Sequence, residues 1–325
     1  MSFLSVRNIV KSFGKTEVLK GTSFEMGSNT TLALIGKSGS GKTTMLRIIA
    51  GLELPDSGEI ELNKKLLNSK NEYIKPEKRN IGYVFQNHSL FPHLDVYNNI
   101  VFGIRNQSKS QKLDSAMEYL SMLNLKDKLK SYPHELSGGE KQRISIIRTL
   151  ASEPKLLLLD EPFSNLDKNT KEKLKLDLKQ ILYKENLPTI MITHDADDSF
   201  DLADETILIE SGEIVASGQP EELYRNPVNE HSARFFSEAV IITRDEKNSK
   251  FFIHFDINST RICISPQNIN PKTNGLEAIL INHKFVGNGY QLNLECLGAN
   301  LKMFTIEKPT KDTINIDIKY IKEIH

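Results

Sequence analysis

The sequence predicts an α/β domain with a largely parallel sheet and a helical insertion, followed by a small all-β, barrel-like domain. Three observations carry this. Up to about residue 236, short continuous apolar runs alternate with amphipathic helical stretches, as in parallel strands covered on both faces. Between about 88 and 152 the chain reads mostly helical. Beyond about 240 the pattern changes to alternation with period two, the mark of half-buried strands. A chain of 325 residues accommodates about two domains, placed here at 1–236 and 240–325.

The elements follow in order. Thr31-Leu32-Ala33-Leu34-Ile35 is a buried strand, and a helix runs from Thr43 to Ala50. In the helical insertion, Ala116, Leu120, Leu123 and Leu125 approximate one apolar stripe. Further buried strands are Lys155 to Leu159, Thr189 to Thr193 and Thr206 to Ile209. A helix starts after Asp167, a good N-cap, with Leu174, Leu178, Ile181 and Leu182 on one face. In the second domain, Phe251 to Ile257, Arg261 to Ile264, Tyr290 to Cys296 and Thr313 to Ile318 read as strands. Asn274-Gly275 and Gly287-Asn288-Gly289 read as turns. Barrel closure is expected because it removes exposed edges.

Composition excludes several classes. Lys+Arg 42 against Asp+Glu 42 gives zero net charge, so no general field attracts nucleic acid or an anionic membrane. With 26% charged and 38% hydrophobic residues, the chain is not a disordered one. No apolar run is long enough to span a bilayer. The opening MSFLSVRNIV lacks the layout of a signal peptide. Cys263 and Cys296 lie too far apart in sequence for a zinc-type spacing and are expected to be buried thiols of a reducing compartment. Asp195, Asp197, Asp198, Asp201, Asp204 and Glu205 are expected to form a solvated acidic face rather than a metal cluster. Lys168, Lys171, Lys173, Lys175 and Lys179 are expected on the exposed side of their helix.

Three motifs carry chemistry. Gly36, Lys37, Ser38, Gly39, Ser40, Gly41, Lys42 and Thr43 fit the phosphate-loop pattern G-x-x-x-x-G-K-[ST], between a strand and a helix that continues with Thr44. Such a loop wraps phosphate in backbone N–H groups, and the helix N-terminus adds positive dipole charge. Lys42 would reach the β- and γ-phosphates, and the Thr43 hydroxyl would bind Mg²⁺. Second, the strand Leu156 to Leu159 ends in Asp160-Glu161, which delivers two carboxylates to the ligand edge of an open sheet. Asp160 would serve the magnesium shell, and Glu161 would act as general base toward water. Third, Leu136-Ser137-Gly138-Gly139-Glu140 opens a helix and makes a second anion-type N-terminus, equally readable as a capping box of Ser137 and Glu140. One nucleotide does not easily use both anion sites of one chain.

In this order the three motifs resemble the nucleotide-binding subunit of an ATP-binding cassette (ABC) transporter, a P-loop NTPase, over about residues 3 to 236. The resemblance implies further roles. Phe13 resembles the aromatic that stacks on adenine. Gln86 resembles the Q-loop glutamine that links Mg²⁺ to the transport subunit. Ser164-Asn165-Leu166-Asp167 resembles the D-loop, which would put Asp167 at the nucleotide seam, and His194 resembles the switch histidine of the γ-phosphate. Two copies would then sandwich two ATP molecules, the phosphate loop of one facing Ser137, Gly138 and Gly139 of the other. Glu140 stands where the family usually has Gln, and Asn165 where this branch usually has Ala. Neither change removes a group used in the chemistry, so hydrolysis is expected to be tuned rather than lost.

The segment 90–100 resembles the site at which importers dock a permease's coupling helix, and the expected permease contact spans about 87–100. The C-terminal part is similar to the OB-like regulatory barrel of importers for ferric iron, polyamines, sulfate, molybdate and sugars. Gly275 to Thr305 matches it loosely, and Ile264-Ser265-Pro266-Gln267 resembles that group's Ile-Arg-Pro-Glu turn with its charged pair replaced. The resemblance therefore implies an ATP- and Mg²⁺-dependent homodimeric ATPase at the cytoplasmic face of the plasma membrane. Its partners would be permease subunits and, indirectly, a solute-binding protein, with no nucleic acid. Ferric iron is the favoured solute; polyamine, sulfate, molybdate or sugar import are alternatives. A soluble ABC ATPase of translation or DNA repair is less favoured, because the chain has one phosphate loop and no sustained heptads. An exporter motor is disfavoured by the β-extension. A small GTPase leaves Ser137-Gly138-Gly139 unexplained.

Overall fold

The structure is a computed structural model that describes residues 2–87, 89–164 and 166–324. Asn165, one of the two departures noted above, lies outside the described residues. The chain divides into two compact units, Met1–Pro220 and Glu221–His325.

The first unit holds two sheets. Strands β1 (Leu4–Phe13), β2 (Thr16–Met26), β4 (Ser57–Leu62) and β5 (Lys65–Asn68) form an antiparallel sheet in the order β2-β1-β4-β5. The six-stranded sheet comprises β3 (Thr31–Ile35), β6 (Ile81–Val84), β7 (Leu156–Asp160), β8 (Thr189–Thr193), β9 (Glu205–Glu210) and β10 (Glu213–Gly218). Its order is β10-β9-β3-β8-β7-β6, parallel from β9 to β6 with β10 antiparallel at one edge. Every residue of β3, β7 and β8 is buried, which is why these strands read as unbroken apolar runs. Helix α1 (Lys42–Ala50) buries Met45, Leu46, Ile48 and Ile49 in one core shared with both sheets. Its C-terminus is closed by Gly51 at φ 79° and by the buried Arg79, whose guanidinium donates to the carbonyls of Ile48 (3.0 Å) and Ile49 (2.8 Å).

The helical insertion comprises α2 (Val96–Val101), α3 (Lys109–Met122) and α4 (Gly138–Leu150). Ala116, Leu120, Leu123 and Leu125 are all buried, the last two just beyond the end of α3. Helix α5 (Lys168–Glu185) is capped by Asp167 and buries Leu174, Leu178, Ile181 and Leu182 as the periodicity predicts. Helix α6 (Ala196–Leu202) follows β8.

The order of the parallel sheet positions the site. Strands β3, β8, β7 and β6 are neighbours and end level, with Ile35 beside Thr193, Asp160 beside Ile192 and Val84 beside Leu159. The segments leaving their carboxyl ends therefore emerge together. They are the phosphate loop after β3, His194 after β8, Glu161 after β7 and Gln86 after β6. Open α/β sheets bind ligands at this edge.

Helix α7 (Pro220–Arg225) stands at the boundary between the units, and the second unit continues with α8 (Glu230–Ser237), β11 (Val240–Thr243), α9 (Ser249–His254) and β12 (Arg261–Ile264). Then come β13 (Ile269–Phe285), β14 (Tyr290–Cys296), β15 (Ala299–Thr305), β16 (Thr313–Ile318) and β17 (Lys322–Glu323). Cys263 and Cys296 are buried free thiols on β12 and β14.

Three expectations for this unit are corrected. The strands make two open sheets, β11-β12-β17 and β15-β14-β13-β16, rather than one closed barrel, and helices accompany them. Phe251 to Ile257 is not a strand: Ser249–His254 is helical. Phe251 and Phe252 are fully buried, and the Phe251 and Phe255 rings lie 4.8 Å apart, the i and i+4 contact of a helix face. Asn248 and Asp245 exchange reciprocal hydrogen bonds that bend the chain into this helix. Asn274-Gly275 is not a turn but part of β13, where the pairing with β16 shifts register between Pro271 and Leu276. A Cβ on Gly275 would lie 2.2 Å from the Ile316 carbonyl, so glycine serves close approach of two strands there.

Candidate functional site

The phosphate loop is a cradle of bare backbone. Gly36, Gly39 and Gly41 take φ of 145°, 82° and 102°, values that suit glycine. A Cβ would lie 2.1 Å from the Ile209 carbonyl at Gly36 and 2.8 Å from the Val18 carbonyl at Gly41. The Ser40 N–H donates to the Lys37 carbonyl and closes the turn around Ser38 and Gly39. Helix α1 has no side-chain cap, so the N–H groups of its first turn, including those of Thr43 and Thr44, face the loop side without a helical acceptor. The buried Lys42 ammonium donates to the carbonyls of Gly36 and Lys37, each at 2.8 Å. Burial lowers its pKa, opposed by the charges of Glu161 and Asp160.

Across from the loop, Asp160 closes β7. Its Oδ1 accepts from the Thr43 hydroxyl at 3.1 Å and its Oδ2 from the Tyr83 hydroxyl at 2.8 Å. Burial first, then the Asp160 charge, pushes the Tyr83 phenol well above its ordinary pKa, so it remains a donor. Glu161 takes φ 48°, in the left-handed region, which turns its carboxylate off the strand line. Its Oε2 accepts from the Gln86 amide at 3.2 Å and lies 3.8 Å from His194 Nδ1. Gln86, Glu161 and His194 line a cavity of about 430 Å³ together with Ser164 and Lys171.

Other sequence-predicted residues lie as follows. Phe13 is half exposed at the end of β1, its ring 4.9 Å from the Lys11 ammonium. Ser137 caps α4 in a full capping box: Glu140 N–H donates to Ser137 Oγ, and Ser137 N–H donates to Glu140 Oε2 at 2.8 Å. Burial works to raise the Glu140 pKa, but the Ser137 backbone bond and the Lys128 ammonium, 3.2 Å away, outweigh it and lower the value. The N–H groups of Gly138 and Gly139 open this helix without helical acceptors. A Cβ on Gly139 would lie 2.4 Å from the Thr170 methyl, so α4 and α5 meet on a bare backbone. Asp167 caps α5 and also accepts from the Thr170 hydroxyl at 2.6 Å.

The expectation of solvated charge holds for Lys168, Lys173, Lys179, Asp197, Asp201, Asp204 and Glu205, which are exposed, and is corrected for Lys171, Lys175, Asp195 and Asp198. Lys175 and Asp198 are buried, and Lys171 and Lys175 pair with Asp195, Asp198 and Asp201 across the two helices. Charges spaced around each helix meet through space because α5 packs on α6. Among the described residues no group of His, Cys, Asp and Glu forms a metal cluster. The sequence reading also missed Tyr83, which faces Asp160 from the neighbouring strand. Its signal was positional, a polar-tipped aromatic on β6 in register with Leu158 of β7. Nor did it single out the fully buried Asn99. That amide accepts from Phe91 N–H and donates to the carbonyls of Phe91, Leu94 and Asp95, so it fastens the 91–95 loop.

A glycine cradle at an uncapped helix, one buried ammonium and two strand-end carboxylates define a phosphate-loop ATPase of two-sheet architecture with a helical subdomain and a small C-terminal β region. Residues 19–164 match the family model described as ABC transporter. The chain is 38% identical over 244 residues to a Fe(3+) ions import ATP-binding protein of Haemophilus influenzae, covering 74% of this chain and 68% of that one. It is 33% identical over 327 residues to a Fe(3+) ions import ATP-binding protein of Serratia marcescens, covering 95% and 94%. It is 41% identical over 241 residues to a probable sulfate/thiosulfate import ATP-binding protein of Chlorella vulgaris, covering 72% and 98%. Among solved structures, an ATP-binding cassette seen as a dimer in a post-hydrolysis state with ADP and Pi matches with TM-score 0.59 and 29% identity, over 67% of this chain and 98% of that one. The chain belongs to the ABC transporter family. The three relatives just given are named as import ATP-binding proteins. No helix among its described residues is long and apolar enough to cross a membrane.

The residues present fit a magnesium nucleotide. The cradle admits no Cβ at Gly36 or Gly41, and the Thr43 hydroxyl, Asp160 carboxylate and Gln86 side-chain carbonyl are the hard oxygen donors that Mg²⁺ prefers.

Proposed function

We propose that this chain is the ATP-hydrolysing subunit of a solute importer, working as a pair at the cytoplasmic face of the plasma membrane. The observation that carries the reading is the convergence of Thr43 with Asp160, and of Gln86 and His194 with Glu161, at the carboxyl ends of adjacent parallel strands.

In this reading the N–H groups of Gly39 to Thr44 and the Lys42 ammonium hold the β- and γ-phosphates. Thr43, Asp160 and Gln86 would hold Mg²⁺, which would supply charge neutralisation on those phosphates. Glu161 accepts the proton of the attacking water, and Gln86 and His194 orient its carboxylate. His194 also contacts the γ-phosphate from the neighbouring strand. Phe13 stacks on the adenine. Ser137, Gly138, Gly139 and Glu140 serve the partner copy's γ-phosphate through the open turn of α4, with Asp167 at the same seam. Losing that phosphate removes contacts that only the closed pair makes, so hydrolysis resets the pair.

The segment about 87–100 is the permease-facing surface in this reading, its loop fastened by Asn99. A solute-binding protein acts through the permease, and the C-terminal unit regulates. Ferric iron is the proposed cargo, supported by the Haemophilus and Serratia relatives, which are named as Fe(3+) import ATP-binding proteins. Sulfate is the second reading, supported by the Chlorella relative.

The test is gel filtration of Glu161→Gln with Mg-ATP. The variant is expected to elute as a dimer with ATP and as a monomer without it, while the unmodified chain consumes ATP. A monomer under saturating Mg-ATP, with no hydrolysis by the unmodified chain, defeats the reading. Cells carrying Glu161→Gln in place of the native chain are expected to lose ferric-iron uptake; loss of sulfate uptake instead reassigns the cargo.

A further inference from the structure

His194 has little of its own to hold it. Its side chain is 60% exposed, and its recorded partner is Glu161 at 3.8 Å. The turn that carries it, in contrast, is fastened on both sides. Before it, the Thr193 hydroxyl donates to Asp198 Oδ2 at 2.6 Å. After it, Asp195 N–H donates to Thr193 Oγ1 at 3.0 Å, and the Asp195 carboxylate accepts from Asp197 N–H to start α6.

Both carboxylates that organise this turn end on one ammonium. Lys171 Nζ lies 2.6 Å from Asp195 Oδ2 and 2.7 Å from Asp198 Oδ1. Lys171 sits in the first turn of α5, where its own N–H donates to the carbonyl of the N-cap Asp167 at 2.9 Å. It lines the cavity that holds Gln86, Glu161 and His194. Its ammonium is already engaged by two carboxylates, so it does not present a free charge to a phosphate. Lys175, one turn along, reaches the same Asp198 at 3.1 Å and anchors the far side of the cluster.

We propose that Lys171 is a positioning residue for His194: by binding Asp195 and Asp198 together it locks the strand-to-helix turn that presents the histidine, and joins that turn to the start of α5. A shift of the Asp167 end of α5 would then carry the histidine with it. The inference rests on the reading of His194 as a participant in ATP hydrolysis.

The test is steady-state ATPase kinetics and nucleotide affinity of the full chain. Lys171→Met is expected to lower kcat by about tenfold to a hundredfold, the scale of a misplaced catalytic group. Its KM and its affinity for a fluorescent ATP analogue are expected to stay within about twofold of the unmodified values. Lys171→Arg, which keeps the charge and its reach, is expected to restore most of the rate. Because the two residues act as one unit, Lys171→Met with Asp195→Asn is expected to be no slower than the slower single variant. If Lys171→Met melts below the assay temperature, Lys171→Gln replaces it and is read in the same way. A variant at the unmodified kcat overturns the proposal. So does loss of nucleotide affinity in step with turnover, or a double variant whose losses multiply. An unmodified chain that hydrolyses no ATP defeats the functional reading instead, so the two failures are distinguishable.

Discussion

Lys42 holds its own loop closed. Its ammonium satisfies the carbonyls of Gly36 and Lys37 and feels the charges of Glu161 and Asp160. Removing it takes a buried cation from the phosphate loop and leaves the apolar packing of α1 intact. Lys42→Ala is expected to raise the Kd for Mg-ATP by about tenfold to a hundredfold, the worth of charge-assisted hydrogen bonds, with little change in Tm. Calorimetric titration checks the first and thermal melting the second. At this scale the sequence was most informative where a residue type has one use: glycines in a tight cradle, a lysine after them, paired acids after an apolar run. It was silent on Tyr83 and Asn99 and put Lys171 on a solvated face, because the roles of all three depend on what lies across from them. The partners of Lys171 come from a different strand–helix unit, and no spacing within α5 predicts them.

Between elements, the α5–α6 contact is an ionic one. Burial disfavours the charged forms of Lys171 and Lys175, but the facing carboxylates outweigh it and raise both pKa values; Asp195 is correspondingly lowered by Lys171 against its own burial. A lowered carboxylate stabilises the fold fully above its unfolded value, about 3.9, and loses that contribution as pH falls toward its folded value. A raised lysine contributes fully below about 10.4 and loses it as pH rises through its folded value. Contact between the helices is therefore expected to hold across neutral pH and to weaken at both ends of a melting profile. Asp198→Ala is expected to destabilise the first unit by about 3–5 kcal/mol at neutral pH, because it strands Lys175 in the interior without one of its carboxylates. Denaturant titration measures it; a loss below about 1 kcal/mol would show instead that the cluster relaxes into water. Strands β3 and β8 were legible because burial on both faces leaves runs of apolar residues bounded only by threonine. Helix α9 was not, because Phe251, Phe252, Phe255 and Ile257 fit a short strand as readily as a short helix and the three residues after it.

The whole molecule carries separate cores. One is built around α1 and both sheets of the first unit; another joins α9 to strands of the second and includes the fully buried Phe251 and Phe252; a small one gathers Ala233, Ala239, Cys263 and Ile324. Cavity costs stay local when cores share no partners. Phe251→Ala is expected to lose about 3–5 kcal/mol in the C-terminal unit alone. A calorimetric scan should show one transition moving down while the Mg-ATP-responsive transition stays; a joint shift of both would mean that the units melt as one. The change of period near residue 240 marks where the sequence turns to alternating strands, but the compact units divide earlier, at Pro220, because α7 and α8 carry no such period; barrel closure was not legible either, since alternation specifies faces and says nothing of which edges join. The left-handed backbone of Glu161 has a consequence for the molecule as a whole. A side chain there costs about 1 kcal/mol that glycine would not. Robustness alone would therefore favour a residue without the carboxylate that the proposed function gives to the water, so endurance and work pull in opposite directions at this position.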